Sequence, residues 1–529
     1  MDRHSVGLAT ASLAFLCLLG ASPQEAVKRP PGAAALDAAV RGINGYNASG
    51  QSPLADDGEF LRRVMLDLVA YPPSGAQVKA FVADTRENKR AAIVDELLAS
   101  DDFADYWARQ LAEVYFGNYH DVPMQTTPPL SKAASARIVG RFVDWLRMKL
   151  QKDAPYSEIV SQMLDARGTD EGDPALAYKL SFYSGEGYAI EFANGAGRQL
   201  LGIRLVCARC HDAVFDRWTN RDYYGLADFI WGQKARTEGG TDQASDRVKL
   251  SYAEEGDISI PDLHLKGKGV EQSETGPVKP VLLGIAEAPK GTDRMKFLSQ
   301  LLPDKRNPQF ARATANRIWS WLFGRGVVQP VDDFREKGNP PLSKGLLDVL
   351  TREFTGGKYS IKQLVRTICA TEAYQRSCHG AGLYTKVDFS RGSIKQLNGE
   401  QLVNALRVAT GGKPLKDTSM VLQLVGSLFP AGAQWCETTP LPGNARQALL
   451  LRNNSEIAGW INGPVLQGIK SSAGSLEFKV EEMFLAALSR LPEDSERARY
   501  ATFLKGHPGQ GFEDAYWTLL NSSEFVTRH

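Results

Sequence analysis

The chain has 529 residues, 43% hydrophobic and 23% charged, so it is ordinary globular material able to bury sizeable cores, and its length implies two to four domains. Its 62 basic and 61 acidic residues leave a formal net charge of +1. That balance gives no electrostatic case for a nucleic-acid partner or for an acidic membrane surface.

Residues 1–22 have the layout of a secretory signal peptide. Arg3 lies in a short polar start, an apolar run extends from Val6 to Leu19, and Gly20, Ala21 and Ser22 follow as small residues. The run is short for a membrane span, and no later run approaches that length. Leu16 stands where a lipid-attachment signal would place a small residue, so Cys17 does not read as a lipidated cysteine. The mature chain is expected to be exported to the periplasm or cell surface, without an integral span once the signal is removed. Association with the cell surface is compatible with that.

A Pro/Gly/Ala-rich leader occupies 23–42, and a first helical domain is expected over 43–236. In EFLRRVMLDLVAYPP the apolar positions Phe60, Leu61, Val64, Met65, Leu68 and Val69 follow the helical period, and Pro72 and Pro73 end it. Ser100 reads as an N-cap with acids in the next first turn. Phe103, Tyr106, Trp107, Leu111, Val114 and Tyr115 form the buried stripe of the helix after it. RIVGRFVDWLRMKL and YSEIVSQML continue the pattern. Residues 237–290 are rich in Gly, Asp, Lys and Pro, with short alternating pieces such as KLSYAE and VKPVLLG, and read as a small β-rich insert. Helices resume over 291–529. The expected fold is therefore mainly α, two helical domains joined by the insert.

CARCHDAVFDRW, from Cys207 to Trp218, is the motif that carries chemistry. CxxCH is the signature of covalent haem attachment: two thiols add to the vinyl groups and the adjacent imidazole reaches the iron. With six cysteines and seven histidines in the chain, chance supplies only about 0.001 such matches. Export agrees with attachment outside the cytoplasm. The expected ligand set is thus haem c on Cys207 and Cys210, with His211 as the proximal ligand of the iron. His120 and Met124 are weak candidates for the distal ligand. Phe215, Trp218, Tyr223, Tyr224, Phe229 and Trp231 could wall the ring, and Arg204, Arg209 and Arg217 could face its propionates; ordinary core and a solvated face are the plainer readings. A zinc clip lacks a fourth ligand, because no second CxxC or HxxxH exists. A redox dithiol would sit in a βαβ setting. A structural bridge between Cys207 and Cys210 stays open.

GRQLLGIRLV has helical spacing in Leu200, Leu201, Ile203 and Leu205, so the helix is expected to run to Cys207 or just past it and deliver the motif into a turn. RDYYGLADFIWG is expected to pack back as a short helix. The second nitrogen of His211 should meet a carbonyl or carboxylate, with Asp212 or Asp216 nearest. TICATEAYQR reads as one helix, placing Cys369 and Cys378 roughly 13 Å apart at about 1.5 Å per residue, beyond disulfide reach. Asp332 and Asp333 read as capping and salt-bridging residues. There is no GxSxG, HExxH or phosphate-binding glycine loop, and DARGTDEGD lacks the periodic ligands of a calcium loop.

Several long stretches together resemble the planctomycete surface cytochrome-like family of secreted proteins, whose domains are of unknown function. EFLRRVMLDLVAYPPS, LLASDDFADYWA and LGIRLVCARCHDAVFDRWTNRDYYGLADFI are similar to its N-terminal domain. NPQFARATANRIWSWLFGRGVVQPVDDFREKGNPP, IKQLVRTICATEAYQRS and LAALSRLPEDSE are similar to the usual C-terminal partner domain. The resemblance spans about Ile43 to Leu504 and carries the CxxCH hallmark onto Cys207, Cys210 and His211. The family usually continues CHxHPFD, whereas Ala213 and Val214 stand here for the second histidine and the proline. The functional expectation is an exported haem c carrier passing electrons to an unidentified redox partner protein at the cell envelope. A non-haem envelope scaffold or polysaccharide-binding protein, and an enzyme with an unrecognised interdomain site, are the alternatives.

Overall fold

The computed structural model describes residues 29–117, 122, 124, 126, 129–183, 187–214, 216–239, 246–252, 256–262, 274–335, 338–379, 388–415 and 453–529. It is mainly α, 56% helical, with only small two- and three-stranded sheets. The signal-like segment, His120, Phe215 and Cys436 lie outside the described residues. Among the described residues no helix is long and apolar enough to cross a membrane.

The chain opens with α1 (Pro31–Arg41) and α2 (Asp57–Val69). Asp56 caps α2 by accepting from the Glu59 amide, and Ala70 ends it in the left-handed region at φ 64°. Next come α3 (Gly75–Ala83), α4 (Lys89–Ala99) and α5 (Asp101–Phe116). Ser100 caps α5 through the Phe103 amide, and the expected stripe from Phe103 to Tyr115 is buried. Helices α6 (Lys132–Gln151) and α7 (Tyr156–Asp165) lead to β1 (Gly168–Thr169), α8 (Ala177–Leu180), α9 (Tyr188–Leu200) and α10 (Asn220–Asp228).

The β-rich stretch supplies β2 (Gln233–Glu238), β3 (Arg247–Tyr252), β4 (Ser259–Ile260), β5 (Gly276–Pro277), β6 (Val281–Leu282) and β7 (Ala286–Glu287). β3 is the central strand of an antiparallel sheet ordered β1-β3-β2, so the insert is stitched to the first helical segment. β4 pairs with β5 and β6 with β7. The insert also lies against α10: a Cβ on Gly225 would come within 2.3 Å of Val281, so only glycine permits this approach.

The remaining helices are α11 (Arg294–Leu301), α12 (Pro308–Phe323), α13 (Lys344–Gly356), α14 (Ile361–Cys369) and α15 (Glu372–Gln375). After β8 (Lys395–Gln396) come α16 (Gly399–Thr410), α17 (Ser455–Ile461), α18 (Pro464–Ser471), α19 (Leu476–Leu488), α20 (Asp494–Gly506) and α21 (Gly511–Leu520). β9 (Thr527–Arg528) pairs with β8. TICATEAYQR is thus not one helix: α14 stops at Cys369, and Thr371 caps a new turn by accepting from the Tyr374 amide. Cys369 and Cys378 are nevertheless unbridged.

One core runs from Leu36 to Phe389 and joins apolar side chains from both sides of the insert. A second, from Leu397 to Phe525, also takes in Leu66 of α2. α2 is buried on every side, so its polar residues need distant partners. Arg62 donates to the carbonyls of Ala487 and Phe525, each at 3.1 Å. Asp67 accepts from the Tyr374 hydroxyl at 2.8 Å and pairs with Lys395 at 2.6 Å. These contacts seat the second core on the first.

Candidate cofactor-binding site

α9 delivers the motif, but it ends at Leu200 rather than at Cys207. The Gly197 carbonyl accepts from the amides of Leu201 and Ile203, and Gly202 takes φ +65°. This is a left-handed stop that a residue with a Cβ reaches only with strain. A Cβ there would also sit 3.0 Å from Ala313 and Phe334. Leu200, Leu201, Ile203 and Leu205 are all buried, so their spacing is satisfied by packing without a continuous helix.

The freed carbonyls at the end of α9 are met by the C-terminal half. Arg317, buried on α12, donates to the Gln199 carbonyl at 2.8 Å and to that of Arg198 at 3.2 Å. Gln309 donates to the Leu201 carbonyl at 2.8 Å, and the Phe334 amide to that of Gly202 at 2.8 Å. A charged clamp reinforces the junction. Asp332 is fully buried; Arg204 grips it with two donors at 2.8 and 3.1 Å, and Arg198 with one at 2.8 Å. Burial alone would push this carboxyl up, but the hydrogen bonds from Arg204 and Arg198 outweigh it and hold it below its ordinary value. Asp333 pairs with Arg335 at 2.6 Å. The salt-bridging expected of this acidic pair is therefore present: Asp332 pairs with the segment that leads into the motif, and Asp333 with Arg335 in its own loop.

The motif forms a 3₁₀ turn, Val206–Arg209. The Cys207 carbonyl faces the amides of Cys210 and His211, both at 3.4 Å. Side chains three apart in such a turn eclipse one another, so Cys207 and Cys210 share a side. Both are exposed and unbridged. Exposed apolar side chains flank them: Val206 is 57% accessible and Val214 63%.

His211 is half-buried, and its Nδ1 lies 2.8 Å from the Asp212 main-chain carbonyl. A carbonyl only accepts, so the proton is assigned to Nδ1, which leaves the Nε2 lone pair for a metal. Asp212 Oδ1 accepts from the Asn220 amide at 3.0 Å, and Asn220 Nδ2 donates to the Ala208 carbonyl at 2.8 Å. Thr219 and Asp222 cap α10 reciprocally, fixing Asn220 as its first residue.

The other candidate lining residues are engaged in packing, and Tyr224 lies near enough to Cys210 to interact with it electrostatically. Tyr223, Tyr224 and Phe229 are core residues, and Phe229 stacks on Phe297. Trp231 stacks on Tyr188. Trp218 is buried under the Arg217 guanidinium, 4.6 Å from its ring centroid. Burial raises the Tyr224 phenol above its ordinary value, with a hydrogen bond from Arg209 opposing it, and Arg204 is held by Asp332. Met124 is buried in the first core, where the neighbouring Thr126 hydroxyl meets that of Thr237 on β2. No set of three or more His, Cys, Asp or Glu side chains converges on a metal-ion site among the described residues. The residues missed by sequence reasoning are Arg317, Gln309 and the side-chain donor of Asn220.

Residues 36–234 match the family model PSCyt2, described as a protein of unknown function (DUF1549). Residues 293–421 match PSD1, likewise a protein of unknown function (DUF1553). The chain carries a DUF1549 domain followed by a DUF1553 domain. No curated protein and no solved structure matches it. The CxxCH turn belongs to the DUF1549 domain, and Gln309, Arg317, Asp332 and Phe334, which hold the segment leading into it, belong to the DUF1553 domain. The two domains thus meet where α9 hands over to the motif.

Proposed function

We propose that this DUF1549–DUF1553 protein is an exported haem c carrier acting in electron transfer at the cell envelope. Cys207 and Cys210 would hold the macrocycle through thioether bonds, and His211 Nε2 would ligate the iron. The observation that carries the reading is one turn with two exposed, unbridged thiols, beside an imidazole whose Nδ1 is already engaged. The exposed Val206 and Val214 supply an apolar fringe that a flat macrocycle would cover. The bound haem supplies one-electron redox chemistry, tuned by its axial ligands and its exposure. The protein made in a cytochrome-maturation host should stain for covalent haem and show a haem absorption spectrum. A protein with neither, from a host that matures a control c-type cytochrome, would defeat the reading.

A second reading, a non-haem envelope scaffold or polysaccharide-binding protein, draws on the aromatic side chains. Tyr223, Tyr224 and Phe229 are part of the buried core, so their burial is accounted for without a bound ring. Under it Cys207 and Cys210 would close a structural bridge, and non-reducing peptide mapping of the exported protein would find that link.

A further inference from the structure

We propose that Asn220 and Asp212 form a latch that sets the CxxCH turn and selects the ligating nitrogen of His211 before any cofactor arrives. The inference rests on the haem reading for its purpose but not for its geometry. Asn220 is fully buried at the start of α10 and ties down the motif on both flanks. Its side-chain amide holds the Ala208 carbonyl between the two cysteines at 2.8 Å, and its main-chain amide holds the Asp212 carboxylate at 3.0 Å. Anchored in this way, Asp212 presents its own carbonyl to His211 Nδ1 at 2.8 Å. The ring is left with its proton on Nδ1 and an unprotonated Nε2, the form a metal needs.

Asn220 contributes little to stability in balance. Its Nδ2 is satisfied, but its buried Oδ1 has no protein partner, and the desolvation of that oxygen opposes the bond that is made. The consequence of this residue is therefore geometric. Asn220→Ala removes the donor and the orphaned oxygen together, so the fold should survive the change. Asp212→Asn keeps an oxygen for the Asn220 amide, while Asp212→Ala does not.

The first readout is the tautomer of His211 by nitrogen NMR in the unloaded protein. Wild type and Asp212→Asn should hold the Nδ1–H form predominantly. Asp212→Ala, which removes the carboxylate held by the main-chain amide of residue 220, should move toward the Nε2–H form favoured by a free histidine side chain. Asn220→Ala keeps that main-chain donor, loses only the hold on the Ala208 carbonyl, and should move less. The second readout is covalent haem per chain by intact mass in a maturation host. Both Ala variants should load several-fold less than wild type with an unchanged melting profile, and Asp212→Asn should restore loading. An unchanged tautomer in Asp212→Ala would overturn the latch, whatever the loading. Wild type that never loads would remove the haem reading, yet the tautomer comparison would still decide the latch. If Asn220→Ala fails to fold, the Asp212→Ala and Asp212→Asn pair decides it alone.

Discussion

Asp332→Ala tests the idea that the DUF1553 domain holds the approach to the motif. The carboxylate is fully buried and accepts three charge-assisted hydrogen bonds, two from Arg204 and one from Arg198. Each such bond contributes about 1.5–3 kcal/mol net when fully desolvated. Arg198 and Arg204 are 42% and 32% exposed, so water recovers part of what the guanidinium groups lose. After that discount the substitution should cost about 2–4 kcal/mol. Asp332→Asn, which retains one acceptor but no charge, should cost about half of that. The folded carboxyl lies below its ordinary value of 3.8. Its contribution is therefore present above the unfolded pKa of about 3.9 and is lost as pH falls through the folded value. The gap between wild type and Asp332→Asn should be constant from neutral pH down to about 5 and should close below about 4. Guanidinium unfolding followed by tryptophan fluorescence gives the energies, and hydrogen exchange gives the location. Exchange should rise first between Arg198 and His211, with α19–α21 unaffected. A cost below about 0.5 kcal/mol, within the range of an ordinary surface change, or a gap independent of pH, would refute the clamp.

Thiol labelling of the unloaded native protein should modify Cys207 and Cys210 rapidly. Cys369, buried with its thiol pushed up by desolvation, should react only after unfolding, and peptide mass spectrometry reads the order. Burial, with Arg62, His379, Arg63 and Arg490 nearby, drives His529 down to about 2, so it is neutral in the fold and charges only on unfolding. Stability should then fall as pH drops below the unfolded value of about 6.5, and His529→Gln should flatten that slope in denaturation curves taken from pH 7 to 5. Gly202→Ala forces a side chain into φ +65° and against Ala313 and Phe334. It should lower stability by about 1–3 kcal/mol, measured by guanidinium unfolding; no loss would mean that α9 need not stop there.

What the sequence disclosed was set by how local each cause is. The cap at Ser100 and the stripe from Phe103 to Tyr115 depend on residues within one helix, and both are present as read. The β-rich stretch was legible from its composition, and so was the order of the two domains of unknown function from their long motifs. The end of α9 was not, because apolar residues at helical spacing are buried equally well in the irregular approach to Cys207. The deciding partners, Arg317, Gln309 and Phe334, lie more than a hundred residues away. Thr371 ahead of Glu372 was a usable N-cap signal that the longer apolar pattern of TICATEAYQR obscured. The charges of α2 are the clearest case of hidden cause. Nothing near EFLRRVMLDLV predicts that Arg62 meets Ala487 and Phe525, or that Asp67 meets Tyr374 and Lys395. At the motif, the protonated Nδ1 of His211 was foreseeable in kind, and Asp212 was among its expected neighbours. The latch through Asn220 required the start of α10 in three dimensions.

The central claim is covalent attachment at Cys207 and Cys210, and intact mass tests it most directly. The mature protein from a host that matures a control c-type cytochrome should weigh one haem more than its polypeptide. A Cys207→Ser/Cys210→Ser double substitution should return it to the polypeptide mass. A wild-type mass equal to the bare polypeptide, with the control fully loaded in the same cells, would contradict the account.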